Sequence, residues 1–223
     1  MVLVLAYLEV GAAHTARPVR TLKRSAVASR DGSLRDAASL SGVLARNRRT
    51  TYRIAFFGDS VSVGLGASDW VHAYVGRVVR WLQAHDKRVI DTVDAKGGVP
   101  VAYWMDARMP KQLNAAVVEL GTNDVRLGTP TAQFAREYRT LTSRIRAANP
   151  KAKLLCLSVW PRPEGASLEA AINAQIRSVC PGRYVDVTRL RDRSHIRSSD
   201  GFHPNDVGYR LIALAVESKL KSG

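Results

Sequence analysis

Short apolar runs alternate with longer amphipathic segments from about residue 50 to the end of the chain. The short runs are rich in Val, Ile, Leu and Phe and predict buried strands, whereas apolar residues spaced three or four positions apart predict helices. The predicted strands are residues 53–57, 88–93, 115–120, 153–160 and 184–187. The predicted helices are residues 71–82, 131–148, 167–179 and a final helix that begins with Pro204 and runs to about residue 220.

This alternation of strands and helices predicts one parallel sheet that is covered by helices on both faces. In such sheets the ligand crevice lies outside the carboxyl ends of the strands. Polar residues that directly follow a predicted strand are therefore the first candidates for chemistry.

The first 50 residues differ from the rest, because they are rich in Arg, Ser, Ala and Gly and lack sustained apolar periodicity. They are predicted to form a basic arm or linker ahead of a folded domain at residues 51–223. Residues 1–53 hold ten Lys and Arg against three acidic residues, a net charge of +7. An anionic surface is the partner that such an arm would attract. The apolar start and the small residues at 12–16 fit either a weak or truncated export signal or an ordinary N-terminal segment, and an exported or cell-envelope location is slightly favoured over a cytoplasmic one.

The whole chain carries a net charge of +15, which favours contact with nucleic acid, anionic lipid or acidic polysaccharide. The simpler interpretation is a surface of solvated arginines. No zinc-finger or RNP-type pattern accompanies the charge, so no specific nucleic-acid partner is predicted, and no oligomeric state is predicted either.

The two cysteines, Cys156 and Cys180, are too few for a disulfide-dense scaffold or a four-cysteine zinc site. Cys156 lies in an apolar run, where a buried free thiol is the ordinary interpretation. A single bridge to Cys180 is the alternative, and it would favour an exported protein.

The first polar segment is Gly58-Asp59-Ser60, directly after the first predicted strand. A serine at a strand-to-helix turn can expose its hydroxyl close to backbone N–H groups that would stabilise an oxyanion. The alternative is a turn that only shapes a loop. The Gly-X-Ser-X-Gly elbow is absent, since Ser62 stands where its second glycine would be.

The second polar segment is Gly121-Thr122-Asn123-Asp124, after the third predicted strand. The carboxamide of Asn123 could point an N–H at a substrate carbonyl oxygen. An ordinary turn is the alternative, because Asn and Asp favour turns.

The third polar segment is Asp200-Gly201-Phe202-His203-Pro204. An Asp three residues before a His can bind Nδ1 of the imidazole and leave Nε2 free to take a proton from a serine. The alternative is a helix cap at Asp200 with a surface His203. Pro204 at the first helical position fits both interpretations.

Taken together, these three segments resemble the conserved blocks of the SGNH hydrolases, the GDSL-like lipases and esterases. Phe57-Gly58-Asp59-Ser60 is similar to the first block, the Asn123 segment to the third and the His203 segment to the fifth. The resemblance covers roughly residues 52–220. The second block is less well matched, because residues 93–99 (Val-Asp-Ala-Lys-Gly-Gly-Val) lack the usual Asn and carry two adjacent glycines.

The resemblance implies a three-layer α/β/α sandwich with a five-stranded parallel sheet in the flavodoxin-like order. It implies that Ser60 is the nucleophile, His203 the general base and then acid, and Asp200 the residue that orients His203. The oxyanion hole would combine the N–H groups of Ser60 and Gly98 with the side chain of Asn123, and Gly97 is the alternative to Gly98. No metal and no organic cofactor are implied.

Other residues are weighed against these roles. His195 competes with His203 as the base but lacks an Asp at the useful offset. Asp59 and Asp124 are predicted to hold loops through hydrogen bonds to backbone. Surface or packing roles are predicted for His72, within the first long helix, and His85, near its end. Trp70 and Trp160 either border the site or pack in the core.

The sequence therefore predicts a serine esterase that hydrolyses carboxylic esters with small acyl groups, with acetyl esters of carbohydrate as one substrate class. The same acyl-enzyme could transfer its group to a sugar hydroxyl, which would make the protein an O-acyltransferase. A non-catalytic carbohydrate- or surface-binding module is the third alternative.

Overall fold

A computed structural model describes residues 50–85, 87–161, 166–190 and 194–222. The strands are β1 (Thr50–Gly58), β2 (Lys87–Ala95), β3 (Ala115–Glu119), β4 (Lys153–Leu157) and β5 (Tyr184–Val185). The helices are α1 (Ser60–Val63), α2 (Tyr74–Ala84), α3 (Thr122–Leu127), α4 (Thr131–Ala148), α5 (Ala166–Val179) and α6 (Asp206–Lys221). Short 3₁₀ turns lie at Val101–Trp104, Thr188–Leu190 and Ser194–Ile196.

The five strands form one parallel sheet in the order β2-β1-β3-β4-β5. Ile54 of β1 stands opposite Asp91 of β2 on one side and Ala115 of β3 on the other. The strand order reverses between β1 and β3, and a doubly wound sheet opens its ligand crevice at such a switch point. Ser60 and Asn123 follow these two strands, so the topology brings both residues to that crevice.

Alternate residues of β1 enter different cores, as the pleat of a strand requires. Ile54 and Phe56 pack on the face covered by α2 and α6, whereas Ala55 and Phe57 pack on the face covered by α4 and α5. All four side chains are fully buried. The three-layer α/β/α sandwich with five parallel strands is thereby confirmed.

The predicted helix at residues 71–82 was placed three residues too early. The carboxylate of Asp69 accepts hydrogen bonds from the backbone N–H and from Nδ1 of His72, and this turn holds residues 71–73 outside the helix. The helix α2 therefore begins at Tyr74. His72 precedes the helix instead of lying within it, which corrects the sequence-based expectation.

The predicted strand at residues 153–160 was too long, because β4 ends at Leu157. The N–H of Ser158 still donates to the carbonyl of Val185, but the next two backbone N–H groups donate to side chains. The N–H of Val159 donates to Oδ1 of Asn173 at 2.9 Å, and that of Trp160 donates to Oγ1 of Thr122 at 3.0 Å. These bonds turn the chain out of the sheet next to the Asn123 segment.

The start of the last helix also differs from the prediction that Pro204 occupies its first position. Asn205 is the N-cap, because its side-chain oxygen accepts hydrogen bonds from the N–H groups of Val207 at 3.0 Å and Gly208 at 3.1 Å. Pro204 therefore lies before the cap, and Asp200 is not the cap.

The predicted basic arm at residues 1–50 and the predicted export signal lie outside the described residues, except for Thr50, which begins β1. Among the helices that the structure describes, none is both long and apolar enough to cross a bilayer.

Cys156 and Cys180 form a disulfide, with their Cα atoms 6.0 Å apart. The bridge joins β4 to the residue that follows α5, and both cysteines are buried. Of the two interpretations drawn from the sequence, the structure has the bridge.

Candidate active site

Ser60 is the first residue of α1, two residues after the end of β1. Asp59 caps this short helix, and its Oδ1 accepts a hydrogen bond of 3.0 Å from the N–H of Val61. Gly58 allows the tight turn, because a Cβ at that position would overlap the side chain of Ser62. The strand end and the cap together fix the direction of the Ser60 side chain.

His203 and Asp200 approach Ser60 from the loop before α6. Nδ1 of His203 lies 2.5 Å from Oδ2 of Asp200, and Nε2 lies 2.9 Å from Oγ of Ser60. A carboxylate can only accept, so Nδ1 carries the proton and Nε2 is free to accept from the serine hydroxyl. The structure thus brings the three residues into one hydrogen-bonded line. Such a line of hydroxyl, imidazole and carboxylate can activate a nucleophile.

Asp200 is held as a carboxylate by the loop around it. Partial burial acts to raise its pKa, but hydrogen bonds from His203, from Oγ of Ser198 and from the N–H groups of Phe202 and His203 outweigh that effect. The net result is a pKa well below the ordinary value for Asp. Asp200 therefore stays negatively charged beside the imidazole at neutral pH and well into the acid range.

Asn123 lies on α3, directly after β3, and is buried. Gly121 starts this turn with a φ of +116°, and a Cβ there would stand 2.7 Å from the Val159 side chain. Nδ2 of Asn123 donates a hydrogen bond of 3.0 Å to Oδ2 of Asp59, the residue before Ser60. The carboxamide is thereby fastened to the segment that carries Ser60.

The two adjacent glycines follow β2 and come alongside Ser60. A Cβ on Gly97 would lie 3.7 Å from Cβ of Ser60, so Gly97 passes directly beside the serine. Gly98 has a φ of +79° and a Cβ there would meet open space. Asp124 secures the next segment, since its Oδ2 accepts a hydrogen bond of 3.0 Å from the N–H of Val101. The predicted loop-holding roles of Asp59 and Asp124 are confirmed by these contacts.

A second carboxyl group, Glu119, lies buried beneath this turn. Its Oε2 accepts a hydrogen bond of 2.9 Å from Oγ of Ser62. Oγ of Ser62 in turn lies 2.7 Å from the phenol oxygen of Tyr74. Burial, and then the charge of Asp59, raise the pKa of Glu119 well above its ordinary value. Burial also raises the pKa of Asp59 to about 6, although hydrogen bonds from Val61 and Asn123 favour its ionised form. Ionisation of both carboxyl groups together is therefore disfavoured.

The remaining sequence candidates lie elsewhere. His195 is exposed in the 3₁₀ turn Ser194–Ile196 and is not the histidine that faces Ser60. His72 is half-buried just before α2 and its ring binds Asp69, whereas His85 is exposed at the end of α2 and its ring binds the carbonyl of Trp81. Trp70 is exposed, whereas Trp160 is buried in the core beneath the Phe202-His203 loop.

Two residues near the site escaped the sequence analysis. Glu119 stands out as a charged residue within an otherwise apolar strand, and that signal could have marked it. Arg126 follows Asn123 by three positions on α3, a spacing that places both on one helix face. Its Nε lies 3.4 Å from Oδ1 of Asn123 and its Nη2 lies 3.4 Å from the carbonyl oxygen of Gly98.

Within the described part of the chain, no group of three or more His, Cys, Asp or Glu side chains is arranged to hold a metal ion. The chemistry that the geometry offers is carried by Ser60, His203 and Asp200, with N–H donors of Asn123 and the neighbouring backbone alongside.

Comparison with known proteins identifies a family whose sequence model matches most of the chain. The sequence model described as "GDSL-like Lipase/Acylhydrolase family" matches residues 56–211. No curated protein matches the chain.

Several solved structures share the fold. TesA is 23% identical with a TM-score of 0.66, and the match covers 76% of this chain and 98% of that one. A Clostridium thermocellum family 3 carbohydrate esterase is 18% identical with a TM-score of 0.61, covering 76% and 94%. A two-domain esterase described as active on acetylated mannans is 21% identical with a TM-score of 0.61, covering 81% of this chain but 52% of that one. This chain thus spans about half the length of the two-domain esterase.

Proposed function

The chain belongs to the GDSL-like lipase/acylhydrolase family and is a carboxylic-ester hydrolase, and we propose that it cleaves esters of small acyl groups through an acyl-enzyme on Ser60. Acetyl esters of carbohydrate are the proposed substrate class. The observation that carries the proposal is the hydrogen-bonded line from Ser60 through His203 to Asp200, with distances of 2.9 and 2.5 Å.

In the proposed mechanism, Oγ of Ser60 attacks the ester carbonyl while Nε2 of His203 takes the hydroxyl proton. The tetrahedral intermediate collapses, the ester C–O bond breaks, and the imidazolium returns that proton to the leaving alcohol. A water molecule then repeats the sequence: His203 takes its proton, the acid is released, and Ser60 recovers its hydrogen. Asp200 stabilises the imidazolium that forms in each half-reaction and keeps the proton on Nδ1.

The negative charge that develops on the carbonyl oxygen needs donors that are already in place. We assign this role to the N–H groups of Ser60 and Gly98 and to Nδ2 of Asn123, with Gly97 as the alternative to Gly98. The hydrogen bond from Asn123 to Asp59 uses one of its two amide protons, and the other remains for the substrate.

Exposure of the His203 and Asp200 side chains supports an ester whose alcohol part is bulky. The His203 side chain is 17% exposed and that of Asp200 is 48% exposed, so this side of the site opens directly to solvent. An open site can admit a bulky alcohol such as a polysaccharide. The mannan-active esterase and the carbohydrate esterase among the structural neighbours make acetylated polysaccharides the natural first substrates to try.

A series of p-nitrophenyl esters of increasing chain length, together with an acetylated mannan, tests the proposal. We expect kcat/KM to be highest for acetate or another short acyl group, and we expect acetate release from the polysaccharide. Ser60→Ala should abolish both activities, while Ser178→Ala, an exposed serine on α5, should leave them unchanged. Highest kcat/KM on long chains would contradict the acyl specificity. Faster transfer of the acyl group to an added sugar than to water would mean that the protein is an O-acyltransferase and not a hydrolase.

A further inference from the structure

Arg126 touches both segments that carry the proposed side-chain and backbone donors of the oxyanion hole. Its guanidinium donates from Nε to Oδ1 of Asn123 and from Nη2 to the carbonyl of Gly98, each at 3.4 Å. The residue itself is exposed. Within the described part of the chain, no carboxylate oxygen forms an ion pair with it. Arg126 therefore donates hydrogen bonds to two neutral oxygens of the site, Oδ1 of Asn123 and the carbonyl oxygen of Gly98.

The carboxamide of Asn123 lies between two charged groups of opposite sign. Its Nδ2 end faces the carboxylate of Asp59, and its Oδ1 end faces the guanidinium of Arg126. A flipped amide would place its oxygen against the carboxylate and its NH₂ against the cation. Both contacts would be repulsive, so the two charges select one orientation.

That orientation is the one that a transition state needs. With one Nδ2 proton bound to Asp59, the second points away from that bond and remains free for the substrate oxygen. A cation at Oδ1 also polarises the amide, which makes the free N–H a stronger donor. The contact with the Gly98 carbonyl ties the β2 loop to the same guanidinium.

We propose that Arg126 is a positioning residue of the oxyanion hole, which holds Asn123 and the Gly98 segment in the geometry that receives the negative charge. This inference rests on the proposed function, because it takes Asn123 as an oxyanion donor. Arg126 acts through Asn123 and the loop, and its planar fork suits two acceptors at once, unlike the point charge of Lys.

The first test compares Arg126→Gln and Arg126→Lys with the wild type on one soluble neutral ester. Arg126→Gln should lower kcat by roughly 10- to 100-fold, the range expected when a donor is misplaced, and leave KM within a few-fold. Arg126→Lys should fall between the two, because it keeps the charge and loses the fork. Arg136→Gln on α4 removes the same charge from an exposed position and should leave kcat unchanged.

A double-mutant cycle separates this role from a general structural one. If Arg126 acts through Asn123, then Arg126→Gln should lower kcat much less in the Asn123→Ala background than in the wild type. Equal losses in both backgrounds would overturn the inference. A rise in KM for negatively charged esters alone, with kcat for neutral esters intact, would also overturn it, because Arg126 would then bind substrate.

The same measurements keep the two proposals apart. Wild-type kcat in Arg126→Gln, together with a large loss in Asn123→Ala, removes the role of Arg126 and leaves the proposed function in place. Full activity in Ser60→Ala removes the proposed function, and with it the inference that rests on it.

Discussion

The indole Nε1–H of Trp160 donates a hydrogen bond of 2.7 Å to the carbonyl of Phe202, the residue before His203. Trp160 is only 1% exposed, so this bond anchors the histidine loop to the core. Nη1 of Arg197 donates to the same carbonyl at 2.9 Å. Of the two interpretations that the sequence leaves open for Trp160, core packing is the observed one. The buried indole thereby helps to hold the loop that carries His203 within hydrogen-bond distance of Ser60.

Trp160→Phe should therefore loosen the loop without removing any catalytic group. The variant loses one buried hydrogen bond and some ring volume, while Phe202 keeps its bond from Arg197, so we expect the free energy of unfolding to fall by about 1–3 kcal/mol. We also expect kcat to fall several-fold, measured alongside a thermal melt. Trp81→Phe is the matched control, since Trp81 lies near the C-terminal end of α2, away from the site. A Trp160→Phe variant with both wild-type values would show that the anchor has no effect.

Asn123→Ala tests the proposed oxyanion donor. Removing one such donor typically lowers kcat by about 10²–10³, or roughly 2.7–4 kcal/mol, and KM should stay within a few-fold because the bond strengthens only as charge develops. The variant also loses its bond to Asp59, so some loss of stability is expected and kcat must be expressed per folded molecule. Unchanged kcat with a lowered melting temperature would mean that Asn123 only stabilises the turn.

The sequence predicts the main line of the site in two steps: local rules mark three polar segments, and the resemblance of those segments to a known family implies their roles. Ser60 and Asn123 each follow a buried strand, and the spacing of Asp200 and His203 lets the two side chains meet within one loop. Adjacent parallel strands then bring the Ser60 and Asn123 segments to the same edge of the sheet. The element boundaries, by contrast, depend on single side chains such as Asp69 and Asn205, whose competing bonds shift a helix start by two or three residues.

The supporting contacts around the site could not be predicted in the same way. Glu119 and Ser62 are 57 residues apart, and the pairing of Arg126 with Gly98 spans 28 residues. Such contacts follow from the exact seating of two loops, which apolar periodicity does not encode. The bridge between Cys156 and Cys180 is similar, since it requires the end of α5 to lie beside β4.

The buried carboxyl pair should make stability fall as pH rises. Both Glu119 and Asp59 have pKa values above their ordinary ones, so between about pH 4 and pH 7 the folded state binds more protons than the unfolded state. Under that condition the free energy of unfolding decreases with increasing pH. Glu119→Gln removes the more strongly shifted group and should flatten the decrease.

Chemical denaturation of both proteins across this pH range measures the effect. The free energy of unfolding of the wild type, relative to that of Glu119→Gln, should be highest at acid pH and should fall progressively towards neutral pH. Asp106→Asn, at an exposed acidic position, should give a curve parallel to that of the wild type. Parallel curves for Glu119→Gln and the wild type would contradict the raised pKa of Glu119.

The disulfide should contribute to stability and not to catalysis. It closes a loop with a sequence separation of 24 residues, for which the chain-entropy estimate is about 3.5 kcal/mol. A Cys156→Ala, Cys180→Ala variant should lose about that much and retain kcat at a temperature where it is folded. Reductant should lower the melting temperature of the wild type and leave that of the variant unchanged. Two free thiols in the denatured, unreduced wild type would show that the bridge does not form.

The central claim, that Ser60 is the nucleophile activated by His203, is tested most directly by covalent labelling. A fluorophosphonate reacts with an activated serine, and intact-mass measurement followed by peptide mapping locates the adduct. We predict one adduct per chain on Ser60, no adduct in Ser60→Ala, and much slower labelling in His203→Ala than in His195→Ala. An adduct on another residue, or labelling that persists in Ser60→Ala, would contradict the account.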